Sequence, residues 1–242
     1  MSDRITMLPP YISPRTSVNV LAGLFFLTAA TSWTAFGVNF AEMQLYGAMG
    51  AGEVVEVTER LAHTRAGELI HAAQIACGLV TAVGFLVWLH RARVNVRALG
   101  VRRLRFRREW TVLGFLIPGL NFVRPYQVVQ EIWQASDPTV GDPIAWKRVR
   151  TPLLLSIWWG AFVGYLVLEA GSGTLLNVVS GLQRIQLAYA LGMAADACAA
   201  LSASLGYFVV VRISDAQDEK LERWGRIEPT QNLALDPRDA LA

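Results

Sequence analysis

The 242 residues are 53% hydrophobic and only 17% charged, where a soluble domain carries about 25% charge, and the mean hydropathy is +0.36. That balance excludes an ordinary water-soluble domain and makes lipid the expected folding solvent. The formal net charge of +3 lies beside apolar runs rather than in a basic stripe on a soluble module, so no nucleic-acid partner is expected.

Met1 to Arg15 is polar and carries Pro9, Pro10 and Pro14. The apolar run that follows reaches about Phe40, too long for a signal-peptide core and without a cleavage box, so it is expected to remain as a span. Four spans are predicted: 17–40, 68–89, 152–168 and 187–211. Each is a helix candidate because lipid leaves backbone groups no partner outside the segment, and about 20 apolar residues cross a hydrocarbon core of ~30 Å. The domain reading is a tail over 1–16, a four-span membrane domain over 17–214 and a polar tail over 215–242, disordered past Gly225.

The loops set the orientation. The first, Ala41 to Gly67, is net acidic, and within it Glu42 to Leu61 is expected to form a short surface helix broken at Gly47, Gly50 and Gly52. The second opens with Arg91 to Arg108, which holds eight arginines and no lysine. Arg124, Lys147, Arg148 and Arg150 follow it. The third loop, Glu169 to Gln186, has one arginine, Arg184. Arg212, Lys220, Arg223 and Arg226 come after the last span. Basic residues therefore gather on one side at every crossing, which places both termini in the cytoplasm.

Trp110 to Trp133 does not fit a span. Trp110 to Ile117 covers only about 12 Å as a helix, and Pro118, Gly119 and Asn121 interrupt it. Two readings fit: a dip from the cytoplasmic side that returns as an amphipathic helix over Pro125 to Ala135, or a helix-turn-helix lying flat on that face. The expected fold is thus an all-α, integral membrane helical bundle of four spans plus a broken or re-entrant helical segment on the cytoplasmic side.

Several polar residues stand out. Asp196 sits near half depth in the last span, where a carboxylate must face the bundle or a wet cavity, or be protonated. His71 and Gln74 are one turn apart on the second span, and packing of that span against the last would join them to Asp196. A protonated acid bonded to a neighbouring helix explains Asp196 equally. Arg91, Arg93, Asn95 and Arg97 extend the second span past the bilayer, as snorkelling anchors or as a site for an anionic ligand. Asn121, Arg124 and Glu131 complete the ligand- or headgroup-binding candidates. Gly160 with Gly164, and Gly192, Ala195, Ala199, Ala203 and Gly206, suit close helix packing.

The only histidines are His63, His71 and His90, and Cys77 and Cys198 lie in apolar runs. Neither set has metal-ligand spacing, so no metal or cofactor is expected. No phosphate-binding, dinucleotide or nucleophile-elbow motif is present.

The stretch from Phe85 to Gly100, with Trp88, Arg91 and Asn95, continues to Trp110, Pro118, Asn121, Pro125-Tyr126, Glu131-Ile132-Trp133 and Ala135-Ser136-Asp137-Pro138. In this order and spacing the chain resembles the bacterial membrane family known as domain of unknown function 4328, over about Leu21 to Ser214. Arg108 departs from the pattern, near where a serine-proline pair is expected. The resemblance implies a multi-pass bacterial inner-membrane protein and names no chemistry. The leading functional expectation is a non-enzymatic module that binds anionic phospholipid headgroups, a small ligand, or a protein partner that includes a second copy of itself. The alternatives are a small transporter or channel component using Asp196 as a relay, and an intramembrane enzyme with Glu131 or Asp196 as acid-base group.

Overall fold

The computed structural model describes residues 9–107, 109–117, 119–178 and 181–225. Arg108, Pro118 and the tail beyond Gly225 lie outside the described residues, and so do the roles and the disorder expected of them.

Among the described residues every regular element is helical: α1 (Arg15–Gly50), α2 (Val57–Ala98), α3 (Trp110–Leu116), α4 (Arg124–Ala135), α5 (Leu153–Val178) and α6 (Leu182–Trp224), with 3-10 turns at Leu120–Phe122 and Ala145–Arg148. α1, α2, α5 and α6 are each long and apolar enough to cross a membrane. They run well past the predicted spans. At 1.5 Å per residue, the 42 residues of α2 and the 43 of α6 reach ~63 and ~65 Å, about twice the thickness of a hydrocarbon core.

The loops shrink accordingly. No separate surface helix occupies Glu42 to Leu61; α1 continues to Gly50, and α2 begins at Val57. Gly47 is not a breaker there but a contact point, since a Cβ on it would stand 3.1 Å from Gln186 Nε2. The expected third loop, Glu169 to Gln186, is mostly helix as well. Gly171 and Ser172 look like chain breakers in sequence, yet Ser172 Oγ donates to the Ala188 carbonyl at 2.9 Å and Gly171 faces Leu191 at 3.8 Å. Tertiary contact has outweighed propensity at both places.

The chain forms two compact units. The apolar unit comprises Ser17–Leu86 and Pro152–Val210. It contains three Lys and Arg residues against seven Asp and Glu. The basic unit comprises Met1–Thr16, Val87–Thr151 and Val211–Ala242. It contains nineteen against twelve. Helices α2 and α6 contribute to both.

In the apolar unit, Leu21, Phe25, Phe85, Leu155 and Trp158 are buried, while Phe26, Leu69 and Leu153 are more than 70% exposed. Large apolar side chains turned outward from all-helical segments are what a lipid solvent accepts and water does not. The chain is therefore a multi-span helical membrane protein. All five positions of the small-residue seam on α6 are buried. Of the α5 pair, Gly164 packs 3.5 Å from Cys198 Sγ, but Gly160 faces open space; one glycine of that pair serves packing and the other does not.

In the basic unit, α4 is the organising element. Pro125 stands in its first turn, where a missing N–H costs nothing, and Val128, Val129, Ile132 and Ala135 form one wholly buried stripe at helical spacing. Gly119, with φ of 80°, supplies the left-handed backbone that turns the chain between α3 and α4. The segment 110–135 thus packs within the same unit as the α2 and α6 ends.

The tightest packing in the apolar unit is at Gly206, where a Cβ would lie 2.9 Å from Phe25 Cε1 and 3.1 Å from Trp158 Nε1. Two rigid rings cannot yield as a flexible chain end would. Gly206→Val should lower stability by about 1–3 kcal/mol, read as a fall in Tm in detergent, whereas Gly160→Val should leave Tm unchanged.

Candidate functional site

Two polar constellations and two clefts emerge from these elements. In the apolar unit, Asp196 on α6 is 1% exposed. Asn39 Nδ2 on α1 donates to Asp196 Oδ2 at 2.8 Å, and Gln74 Nε2 on α2 donates to Oδ1 at 2.7 Å. Gln74 Nε2 also reaches Ser32 Oγ at 3.3 Å, and that hydroxyl donates to the Thr28 carbonyl at 2.8 Å. The carboxylate thus ties three helices together, with each oxygen met by an amide donor, as a buried polar group requires. The sequence joins His71, Gln74 and Asp196 only on the condition that the second and last spans pack together; in the structure Gln74 and Asp196 are hydrogen-bonded. His71 instead lines a neighbouring cleft. Asn39 was missed. Its signal is faint: Ser32 and Asn39, seven residues apart in an apolar run, share a helix face.

The basic unit is built around Glu131 on α4. Its carboxylate accepts from the backbone N–H groups of Arg105 and Phe106 and pairs with Arg93 at 3.7 Å. Arg93 Nη2 in turn donates to the Phe106 carbonyl. Arg93 and Glu131 are 3% and 4% exposed. Asn95 is fully buried and grips the N-terminal strap: Ile12 N donates to Asn95 Oδ1 at 3.0 Å, and Asn95 Nδ2 donates to the Ile12 carbonyl at 2.8 Å. Gln217 on α6 donates to the Ala92 carbonyl at 2.9 Å and to Ser136 Oγ at 3.0 Å. Lys220 Nζ closes the C-terminus of α4 by donating to the Ala135 carbonyl at 3.0 Å, where the helix has spare acceptors.

The binding candidates therefore divide. Arg93, Asn95 and Glu131 hold the basic unit together from inside. Arg91 and Arg97 are exposed. Arg124 is half-buried, donates to Gln127 Oε1 at 3.1 Å and lies over the Phe106 and Trp110 rings at 5.5 and 5.4 Å, within cation–π range. Asn121 Oδ1 is buried without a hydrogen-bond partner among the described residues.

The basic unit opens into a cleft of about 490 Å³, lined by Glu131 itself, by Arg103, Arg105 and Lys147, and by Gln127, Gln130 and Gln134. All three cations are exposed. Arg103 has φ of 54°, an uncommon conformation for a side-chain-bearing residue. The loop that carries Arg103 and Arg105 is pinned at Arg102, whose N–H donates to the Pro143 carbonyl at 3.0 Å and whose carbonyl accepts from Trp146 Nε1 at 3.1 Å. Gln130 and Gln134 fix the far wall through Thr151 Oγ1 at 2.7 and 3.3 Å. Nothing in the sequence sets Arg103 and Arg105 apart, because a run of arginines has no period that separates cleft-lining positions from the rest, and Lys147 lies outside that run.

The family model described as "Domain of unknown function (DUF4328)" matches residues 54–215. The chain belongs to this family. No curated protein and no solved structure matches the chain. The matched region takes in α2 to α5 and most of α6, and so contains the Glu131 cluster and the cleft beside it.

Removing Glu131 leaves Arg93 buried and uncompensated, so Glu131→Ala should cost about 3–5 kcal/mol. Gln74→Leu should cost less, about 1–2 kcal/mol, because interhelical hydrogen bonds in lipid contribute little net energy. Tm in detergent for each variant reads the difference, and the reverse ranking contradicts the assignment. In the strap, the Tyr11 hydroxyl donates to Asp218 Oδ1. Burial first, then that hydrogen bond and the carboxylate's charge, push the Tyr11 pKa above its ordinary value of 10.0. The folded state thus holds the proton longer than the unfolded chain. Stability from this contact is full below pH 10 and falls as pH rises above it, and Tyr11→Phe should remove that alkaline dependence from the Tm profile.

Proposed function

We propose that this protein is a bacterial inner-membrane binding module, with both termini cytoplasmic, whose basic unit holds the anionic headgroup of a membrane phospholipid. The observation that carries the reading is the cleft of about 490 Å³ with three cations on its wall. Guanidinium forks and an ammonium beside amide side chains suit a phosphate group. The orientation follows from the charge division: nineteen Lys and Arg residues in the basic unit, against three in the apolar unit, satisfy the preference of basic residues for the cytoplasmic side. Exposed Arg91 and Arg97 add attraction for anionic lipid, worth about 1 kcal/mol each near a membrane surface.

Binding is favoured over catalysis by how two of the buried carboxylates, Glu131 and Asp196, are used. Glu131 accepts from two backbone N–H groups and faces Arg93. Asp196 accepts from two amides. Both are committed to holding helices and loops, and a general acid or base needs reach to a reacting atom.

The test is lipid preference in detergent. Phosphatidylglycerol should raise Tm more than phosphatidylcholine does, and the difference should shrink as salt rises. A variant carrying Arg103→Gln, Arg105→Gln and Lys147→Gln should lose most of that difference while folding normally. Equal preference in the variant and the wild type removes the cleft from the proposal.

A further inference from the structure

The apolar unit holds a second cleft, of about 330 Å³, and its chemistry is opposite to that of the first. Its lining includes Glu42 from α1, Glu68 and His71 from α2, and Glu169 from α5, with Tyr189 from α6 and no lysine or arginine. An acidic lining alone says little, because exposed carboxylates are simply hydrated. Glu42 is different. It is 6% exposed, and among the described residues its Oε1 is buried with no hydrogen-bond partner. The nearest cationic candidate, His63 Nδ1, stands 3.9 Å away, beyond hydrogen-bonding distance. A buried carboxylate oxygen left without a donor is costly, and Glu42 is part of the cleft wall.

We propose that this cleft binds a small organic molecule carrying a primary ammonium group, with Glu42 as its counter-charge. The volume is far above the ~30 Å³ share of a water molecule and falls at the lower end of small-ligand pockets, about 300–1,000 Å³. Among the described residues no three His, Cys, Asp or Glu side chains converge as a metal site needs, so a bare divalent ion is the weaker fit. A single unpaired acceptor suits the point charge of an ammonium better than the paired donors of a guanidinium. Val38, Leu176 and the Tyr189 ring offer apolar wall for the rest of the molecule. Tyr189 is held in place by stacking on Tyr46 at 5.6 Å between ring centres. Glu169, exposed on the opposite wall, supplies a second negative charge.

The experiment uses the full chain in a neutral detergent with benzylamine as probe. Its neutral counterpart, benzyl alcohol, and sodium chloride at equal ionic strength serve as controls. Benzylamine should raise Tm saturably, and neither control should. Glu42→Gln should weaken the apparent affinity roughly ten-fold, as loss of a hydrogen bond to a charged group does. Glu169→Gln, at an exposed position, should weaken it less and decides the matter if Glu42→Gln does not fold. Three results overturn the site: no saturable shift with benzylamine, an equal shift with benzyl alcohol or with sodium chloride, or unchanged affinity in every folded Glu42 and Glu169 variant. An equal shift with magnesium chloride at matched ionic strength overturns the choice of an ammonium.

Discussion

Helix length governs this molecule. Two of its four long helices have about twice the residues a bilayer needs, and the excess cannot end in lipid. The surplus turns of α2 and α6 carry arginine, asparagine, glutamine and lysine in place of an all-apolar surface, and those side chains need partners. Glu131, the Phe106 carbonyl, the Ile12 backbone and the C-terminus of α4 supply them. The short segment α3 to α4 therefore has a structural reason to exist. It covers what the overlong helices would leave exposed.

Charge then divides along the same line. The apolar unit has few ionisable groups, of which Asp196 forms a carboxylate knot and Glu42, Glu68, His71 and Glu169 line one acidic cleft. Among the described residues the basic unit buries the Arg93–Glu131 pair and turns most of its other cations outward. Neither interior relies on charge for net stability. A buried pair roughly breaks even against apolar packing, yet it is costly to break on one side. What such groups contribute is discrimination: an amide–carboxylate contact among Asn39, Gln74 and Asp196 admits one register of three helices, where an apolar contact would tolerate several.

Much of this was legible in the sequence, because the apolar runs and the arginine block are large signals. The four spans and the amphipathic helix from Pro125 to Ala135 follow from period and position, whereas the meeting of Gln74 with Asp196 depends on which helices pack together, which no period encodes. Helix ends were not legible. Gly47, Gly50 and Gly171 have the composition of a turn, and only the neighbouring helix shows that they are contact points. Nor did the series Arg91, Arg93, Asn95 and Arg97 separate into buried and exposed members. Position 93 lies on the arc that includes Leu89, Ala92 and Val96, and an arginine there is tolerable only because Glu131, far along the chain, meets it. Asn39 was hidden for the same reason: its value depends on a carboxylate 157 residues away.

The strap at Tyr11 and Ile12 also bears on how the protein is made in the cell. Tyr11 leaves the ribosome 207 residues ahead of the aspartate it binds. At a synthesis rate of about 5–20 residues per second, that is a wait of roughly 10–40 s. During this interval four apolar helices have to be handed to the bilayer in turn, while of the strap's partners Asn95, made 83 residues after Ile12, is in place well before Asp218. The Tyr11–Asp218 contact can close only once most of α6 has been made, so it belongs to the end of synthesis.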